Sequence, residues 1–219
     1  YETYYELSGN LNAKRFRELL DFNVRLFETE FLSGDLKFDV TMGIKSDGEG
    51  SVNATIDLKG ARISLPQFGW LKSKKVEAKV RLSGNITAAG MDDIPFVELV
   101  GGGMTLIGNA KFQDSVFKKF NISRWEFGRT KVSGSILREG EGWRISLRGP
   151  RLDLVSFLDN ADREDLKYIR GPRLRVDLNV GRVEISPGKF LRSVYGELGN
   201  DGLVWADVNL STIIDGEKS

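Results

Sequence analysis

Apolar and polar residues alternate with a period of two along most of this chain. From Leu36 the apolar positions are Leu36, Phe38, Val40, Met42 and Ile44, separated by Lys37, Asp39 and Thr41 and followed by Lys45. Asp47-Gly48-Glu49-Gly50 reads as a turn, after which Val52, Ala54, Ile56 and Leu58 return against Asn53, Thr55, Asp57 and Lys59. Successive side chains on a strand point to opposite faces, so this stretch predicts a hairpin with one apolar and one solvated face. The pattern recurs. Val76, Ala78, Val80 and Leu82 alternate with Glu77, Lys79 and Arg81, and Met104, Leu106, Gly108, Ala110 and Phe112 follow the run Gly101-Gly102-Gly103. Val132, Gly134 and Ile136 reach the turn Glu139-Gly140-Glu141-Gly142, and Trp143, Ile145 and Leu147 come back. Leu174, Val176, Leu178 and Val180 lead into Val183 and Ile185; Val194, Gly196 and Leu198 turn at Asn200-Asp201-Gly202 into Leu203, Trp205, Val208 and Leu210. On the order of ten to twelve strands are predicted, most joined by hairpin-like turns.

Two short segments carry a helical pattern instead. Ala13 to Asp21 places Phe16, Leu19 and Leu20 on one side with Asn12 as N-cap, and Leu154 to Tyr168 opens with Val155, Phe157 and Leu158. Either segment can cap a sheet but is too short to cover one. A weak internal repeat links the pieces: Leu7-Ser8-Gly9-Asn10-Leu11 and Leu147-Arg148-Gly149-Pro150-Arg151-Leu152 each precede a helix, and Leu58-Lys59-Gly60-Ala61-Arg62-Ile63 is a third copy. The spacings are unequal, so no strict solenoid period exists. The chain reads as one continuous section, residues 1–219, with a soft boundary near 147–172 between two repeat-like units.

Composition narrows the chemistry. Hydrophobic residues are 40% and charged residues 29% of 219, a balance that belongs to a folded chain. The 25 glycines against 5 prolines suit a sheet with many tight turns. A net charge of +1 provides no field for a phosphate backbone, so no nucleic-acid partner is expected. Histidine and cysteine are both absent, which removes thiol nucleophiles, Ser-His-Asp triads, imidazole acid–base chemistry and any disulfide framework. No cofactor is implied. No run approaches the roughly 18 apolar residues of a membrane-spanning helix. The opening at Tyr1, with neither an initiator methionine nor a signal peptide, suggests part of a longer or processed protein whose membrane anchor, if any, lies elsewhere.

An apolar face on about ten strands must be hidden from water, at roughly 25 cal/mol per Å2. A closed barrel, a sandwich of two sheets, or a sheet bent around an apolar ligand would each hide it. Gly108, Ala110, Gly134 and Gly196 occupy inward positions, where small residues permit bending or close approach and equally serve ordinary core packing.

Ile56 to Lys72 (IDLKGARISLPQFGWLK) resembles the element of strand, proline and glycine-tryptophan with lysine found in the AsmA-like superfamily, and most closely in its large YhdP-type members. Leu174 to Leu210, with Gly202-Leu203-Val204-Trp205, and Leu147 to Leu154 resemble later repeating units of the same proteins. The resemblance spans most of the chain and carries no catalytic motif. It implies an extended, twisted, predominantly antiparallel sheet bent into a trough with two short helices, the closed β-sandwich being the alternative. It further implies a periplasmic location in a protein anchored to the bacterial inner membrane through parts outside this chain. There, the trough would shield acyl chains and conduct phospholipid towards the outer membrane, flanked by neighbouring β-groove sections of the same protein. The groove positions expected on this reading are Leu36, Phe38, Val40, Met42, Val52, Ile56, Leu58, Val76, Val80, Leu106, Ile136, Ile145 and Val176.

Catalytic motifs are weak by comparison. Ser115-Val116-Phe117-Lys118 has the S-x-x-K spacing of serine acyl enzymes without the companion motifs, and Gly101-Gly102-Gly103-Met104 lacks the Gly-Lys-Ser/Thr of a phosphate loop. Asp92-Asp93 and the set Asp159, Asp162, Glu164 and Asp165 lack the spacing of a calcium loop, and Arg163 and Lys167 among the latter mark a solvated helix face. Asn53, Asn85, Asn121 and Asn209 each begin an N-x-S/T triplet, which matters only in a glycosylating source. Trp143 and Trp205 fall in core phase, whereas Trp70, beside Lys72, Lys74 and Lys75, suits a rim that meets lipid headgroups or else a loop plug under the sheet; Trp125 is unassigned. Three functions remain: a lipid-conducting section, a non-catalytic scaffold with a closed core and adhesive strand edges, and a carboxylate-dependent hydrolase with a concave polar pocket. A non-enzymatic role is expected.

Overall fold

The computed structural model describes residues 3–15, 32–65, 69–87, 90–113, 116–161, 173–201 and 205–214. Among them are fourteen strands: β1 (Thr3–Asn12), β2 (Leu32–Ile44), β3 (Gly50–Asp57), β4 (Ala61–Leu65), β5 (Trp70–Lys72), β6 (Ala78–Thr87), β7 (Gly90–Gly101), β8 (Met104–Gln113), β9 (Val116–Phe127), β10 (Thr130–Glu139), β11 (Gly142–Asp153), β12 (Leu174–Ser186), β13 (Lys189–Asn200) and β14 (Trp205–Ile214). Helix α1 covers Val155–Ala161. The chain divides into two compact units, Tyr1–Phe117 and Lys118–Ser219. The soft boundary expected near 147–172 falls inside the second.

In the first unit, strands run in the order β8-β7-β6-β3-β2, and β1 and the β4–β5 hairpin both join β2. All these pairings are antiparallel. The β2–β3 hairpin forms where the alternation predicts it, with Phe38 opposite Ile56, Val40 opposite Ala54 and Met42 opposite Val52. Its turn is closed by Lys45 N–H to Glu49 O (2.8 Å) and Glu49 N–H to Asp47 Oδ1 (2.9 Å), with Gly48 at φ 81°. A helical turn opens at Ala13, capped by Asn12 Oδ1 accepting the Arg15 N–H at 2.9 Å. Phe16, Leu19 and Leu20 lie outside the described residues. Ala13, Leu32, Leu36, Leu58, Ala61 and Ala78 make a buried cluster, against which Ile56, Ile63, Val80 and Leu99 pack.

In the second unit the order is β14-β13-β12-β11-β10-β9. Every pairing is antiparallel except β11 with β12, which the crossover through α1 makes parallel. The β10–β11 hairpin is tight: Glu139 pairs with Gly142, leaving Gly140 (φ 60°) and Glu141 as the loop. Helix α1 begins after Asp153, whose Oδ1 accepts the Val155 N–H at 3.0 Å. The remainder of the helix expected to Tyr168 lies outside the described residues. No described pairing joins β1 to β8 or β14 to β9, so neither unit's sheet closes on itself. The open, mostly antiparallel alternative is therefore the one adopted, rather than a closed β-sandwich.

Candidate functional surface

Residues directly opposite each other on neighbouring strands share a face, so the registers can be read as rows across the sheet. In the first unit one row is Gly9, Phe38, Ile56, Val80, Leu99 and Leu106, one residue from each of β1, β2, β3, β6, β7 and β8. The next is Leu7, Val40, Ala54, Leu82, Val97 and Gly108. Neither row holds a polar side chain. The intervening row on the opposite face is Ser8, Asp39, Thr55, Arg81, Glu98 and Ile107, tied by the Arg81–Glu98 ion pair at 2.6 Å. The sheet is thus two-faced across six strands.

The second unit repeats the design. Phe120, Ile136, Ile145, Val176, Leu198 and Val208 form one apolar row, and Ile122, Gly134, Leu147, Leu178, Gly196 and Leu210 the next. Of the thirteen predicted groove residues, Leu36, Val52 and Leu58 are buried. Phe38, Val40, Met42, Ile56, Val80, Leu106, Ile136, Ile145 and Val176 are half-buried. Val76 is exposed and precedes β6 instead of lying on it. The register places Phe38, Ile56, Val80 and Leu106 in one row and Ile136, Ile145 and Val176 in another, residues that the sequence could only assign to separate strands.

The segment around Trp70 is a plug, which corrects the rim position. Trp70 is 3% exposed, and its Nε1–H donates to Gly102 O at 2.9 Å. Lys72 is 0% exposed; its ammonium donates to the carbonyls of Leu58, Ala61 (2.7 Å) and Ser73 (3.3 Å). Burial lowers its pKa below the ordinary lysine value, and Asp57 opposes that shift. With all three protons committed to backbone, Lys72 has none for a lipid headgroup; Lys74 and Lys75 remain exposed. The same contact explains the second glycine of the run, Gly102. Gly101, Gly102 and Gly103 all take positive φ in the β7–β8 turn, and a Cβ on Gly102 would lie 2.9 Å from Lys72 Cγ.

Other candidates resolve more simply. Trp205, expected in the core, is 36% exposed and rests edge-on against Phe157 of α1 at 6.3 Å. Trp143, likewise expected in the core, is half-buried opposite Leu174. Ser115, Asp162, Glu164 and Asp165 lie outside the described residues, and no group of acidic residues able to hold a metal occurs among those described.

Sequence reasoning missed two features. Glu184, buried on β12, accepts from an Arg129 Nη1–H and from Gly188 N–H (3.2 Å). The Arg129 hydrogen bond, with a smaller contribution from Gly188, holds its carboxyl below the usual range. The second feature is a groove of about 800 Å3 on the polar face of the second unit. Its walls come from the polar row Asn121, Ser135, Ser146, Asp177, Glu197 and Asn209 and from the adjacent Arg148, Asn179, Tyr195 and Ser211. The apolar row between them, with Gly134 and Gly196, is the floor. A Cβ on Gly134 would fall 1.8 Å from Ser146 O, and one on Gly196 2.0 Å from Asn209 O. These glycines let adjacent strands approach more closely than any side chain allows. The polar residues were visible as the alternates of the apolar ones; their alignment into a wall depends on register. Compared with known proteins, the chain matches no family model, no curated protein and no solved structure.

Proposed function

We propose that this chain is a non-catalytic section of a bridge-like protein that shields phospholipid acyl chains and conducts them between the inner and outer membranes of a bacterial envelope. The observation that carries this reading is the pair of uninterrupted apolar rows across six strands of the first unit, half-buried on an open sheet. Apolar surface of this kind is stabilised by about 25 cal/mol for each Å2 covered, and a row without polar groups offers an acyl chain no deep minimum along its length. The periplasmic setting and the membrane anchor outside the chain follow from the AsmA-like resemblance. The rows also run out to β1 and β14, each of which pairs on one side only among the described residues. Leu7 on β1 is 57% exposed and Val208 on β14 62%, which suits neighbouring sections of the same sheet as partners.

The test is native mass spectrometry of protein incubated with phospholipid vesicles, with organic extraction of what it retains. The wild type is expected to retain phospholipid. Phe38→Asp and Leu106→Asp, each placing a charge within the first row, are expected to lose it while keeping the β-sheet circular dichroism. A wild type that extracts no phospholipid refutes the reading. Self-association through the strand edges in that lipid-free protein would instead favour the second reading, a scaffold module, which the exposed edges support.

A further inference from the structure

We propose that the polar groove of the second unit binds a neutral oligosaccharide, a site distinct from the apolar face and independent of the lipid reading. The floor is sheet, whose backbone N–H and C=O groups are already engaged in the ladders, so recognition there falls to side chains. Those side chains are amides, hydroxyls, one aromatic ring, the carboxylates of Asp177 and Glu197 and the guanidinium of Arg148. Asn179, Ser211 and Asn209 are exposed around Tyr195, itself 66% exposed on a strand interior where a large ring gains nothing from packing. An exposed tyrosine among amides and hydroxyls offers an apolar platform for the C–H face of a sugar ring and hydrogen bonds for its rim.

Charge supports a neutral ligand. The two carboxylates of the groove are engaged: Asp177 by Arg144 (3.4 Å) and by the Ser146 hydroxyl (3.0 Å), and Glu197 by Arg175 (2.7 Å). They are therefore anchored acceptors for sugar hydroxyls, and with Arg148, whose Nε–H donates to Ser133 Oγ at 3.4 Å, the groove carries nearly balanced charges of both signs and no strong field for an ionic ligand. An acyl chain would leave these groups desolvated without partners, which is unfavourable for each of them. Neighbouring strands are ~4.8 Å apart, comparable to the width of a pyranose ring. A linear glycan crossing the strands would thus meet a fresh polar side chain at about every sugar.

Saturation-transfer NMR and calorimetric titration with chitotetraose, cellotetraose and maltotetraose test the site on the whole chain. At least one is expected to bind, and Tyr195→Ala to weaken that binding by about tenfold, the effect of losing one aromatic platform. Asn179→Ala, also at an exposed position, should weaken it as well. Both variants should retain phospholipid as the wild type does, which separates this site from the apolar face. The proposal is overturned if none of the three sugars binds, or if binding is unchanged in both variants.

Discussion

Replacing Lys72 by methionine tests whether the β4–β5 plug is held by its buried ammonium. Methionine keeps most of the aliphatic stem, so packing against Gly102 is largely preserved while the ammonium and its three donors are removed together. Three carbonyls, those of Leu58, Ala61 and Ser73, lose their donor. Hydrogen bonds to a charged group contribute ~1.5–3 kcal/mol each, giving a gross loss of about 5–9 kcal/mol. Against this, the variant no longer carries the several kcal/mol cost of desolvating an ammonium. The difference is a net destabilisation of about 2–4 kcal/mol, read as a lower urea midpoint for the first unit. The pH dependence supplies a second readout. Because burial depresses the folded pKa of Lys72, the unfolded chain binds more protons between that value and the ordinary one of about 10.4. Wild-type stability therefore rises with pH through that window, and the methionine variant lacks the rise. The gap between the two proteins should widen as the solution becomes alkaline. A variant within about 1 kcal/mol of wild type, with a gap independent of pH, would refute the argument.

Glu184→Gln should act at the opposite end of the pH scale. The Arg129 hydrogen bond depresses the Glu184 carboxyl, so its contribution is present above about pH 4.3 and is lost as pH falls through the lowered folded value. Urea midpoints measured across that range should show the wild type approaching the variant in acid; a constant difference would contradict the assignment. Gly134→Ala forces a Cβ to 1.8 Å from Ser146 O, which the ladder can relieve only by separating β10 from β11. A loss of at least ~1–3 kcal/mol is expected in thermal unfolding, as for other overpacked sites, and an unchanged midpoint would mean the strands open freely there.

The parts of the fold legible in the sequence are those where alternation runs unbroken. β2 and β3 were readable because Leu36 to Leu58 keeps one phase on either side of a glycine turn, and β10 and β11 because Gly140-Glu141 closes a two-residue loop. β7 and β9 were not readable. The register slips between Ile94 and Val97 on β7, and β9 carries the complementary slip opposite Val132 and Gly134. A bulge of this kind switches which residues point inward, so Ile94 and Val97 share a face despite being three apart. Pro187-Gly188 joins β12 to β13 between Ile185 and Val194, where the alternation is broken.

The sequence by itself determined the class, because period-two alternation has no other stable outcome than a two-faced sheet, and it determined the exclusion of histidine and cysteine chemistry. Tertiary structure alone decided which residues stand side by side. Trp70 and Lys72 read equally well as a rim or a plug until the carbonyls of Leu58 and Gly102 came within reach, and the polar alternates of the second unit became a groove only once six strands had aligned. Periodicity fixes the face on which a side chain lies. Partners across strands depend on register, and register is set by bulges, turns and close glycine contacts between segments far apart in the chain.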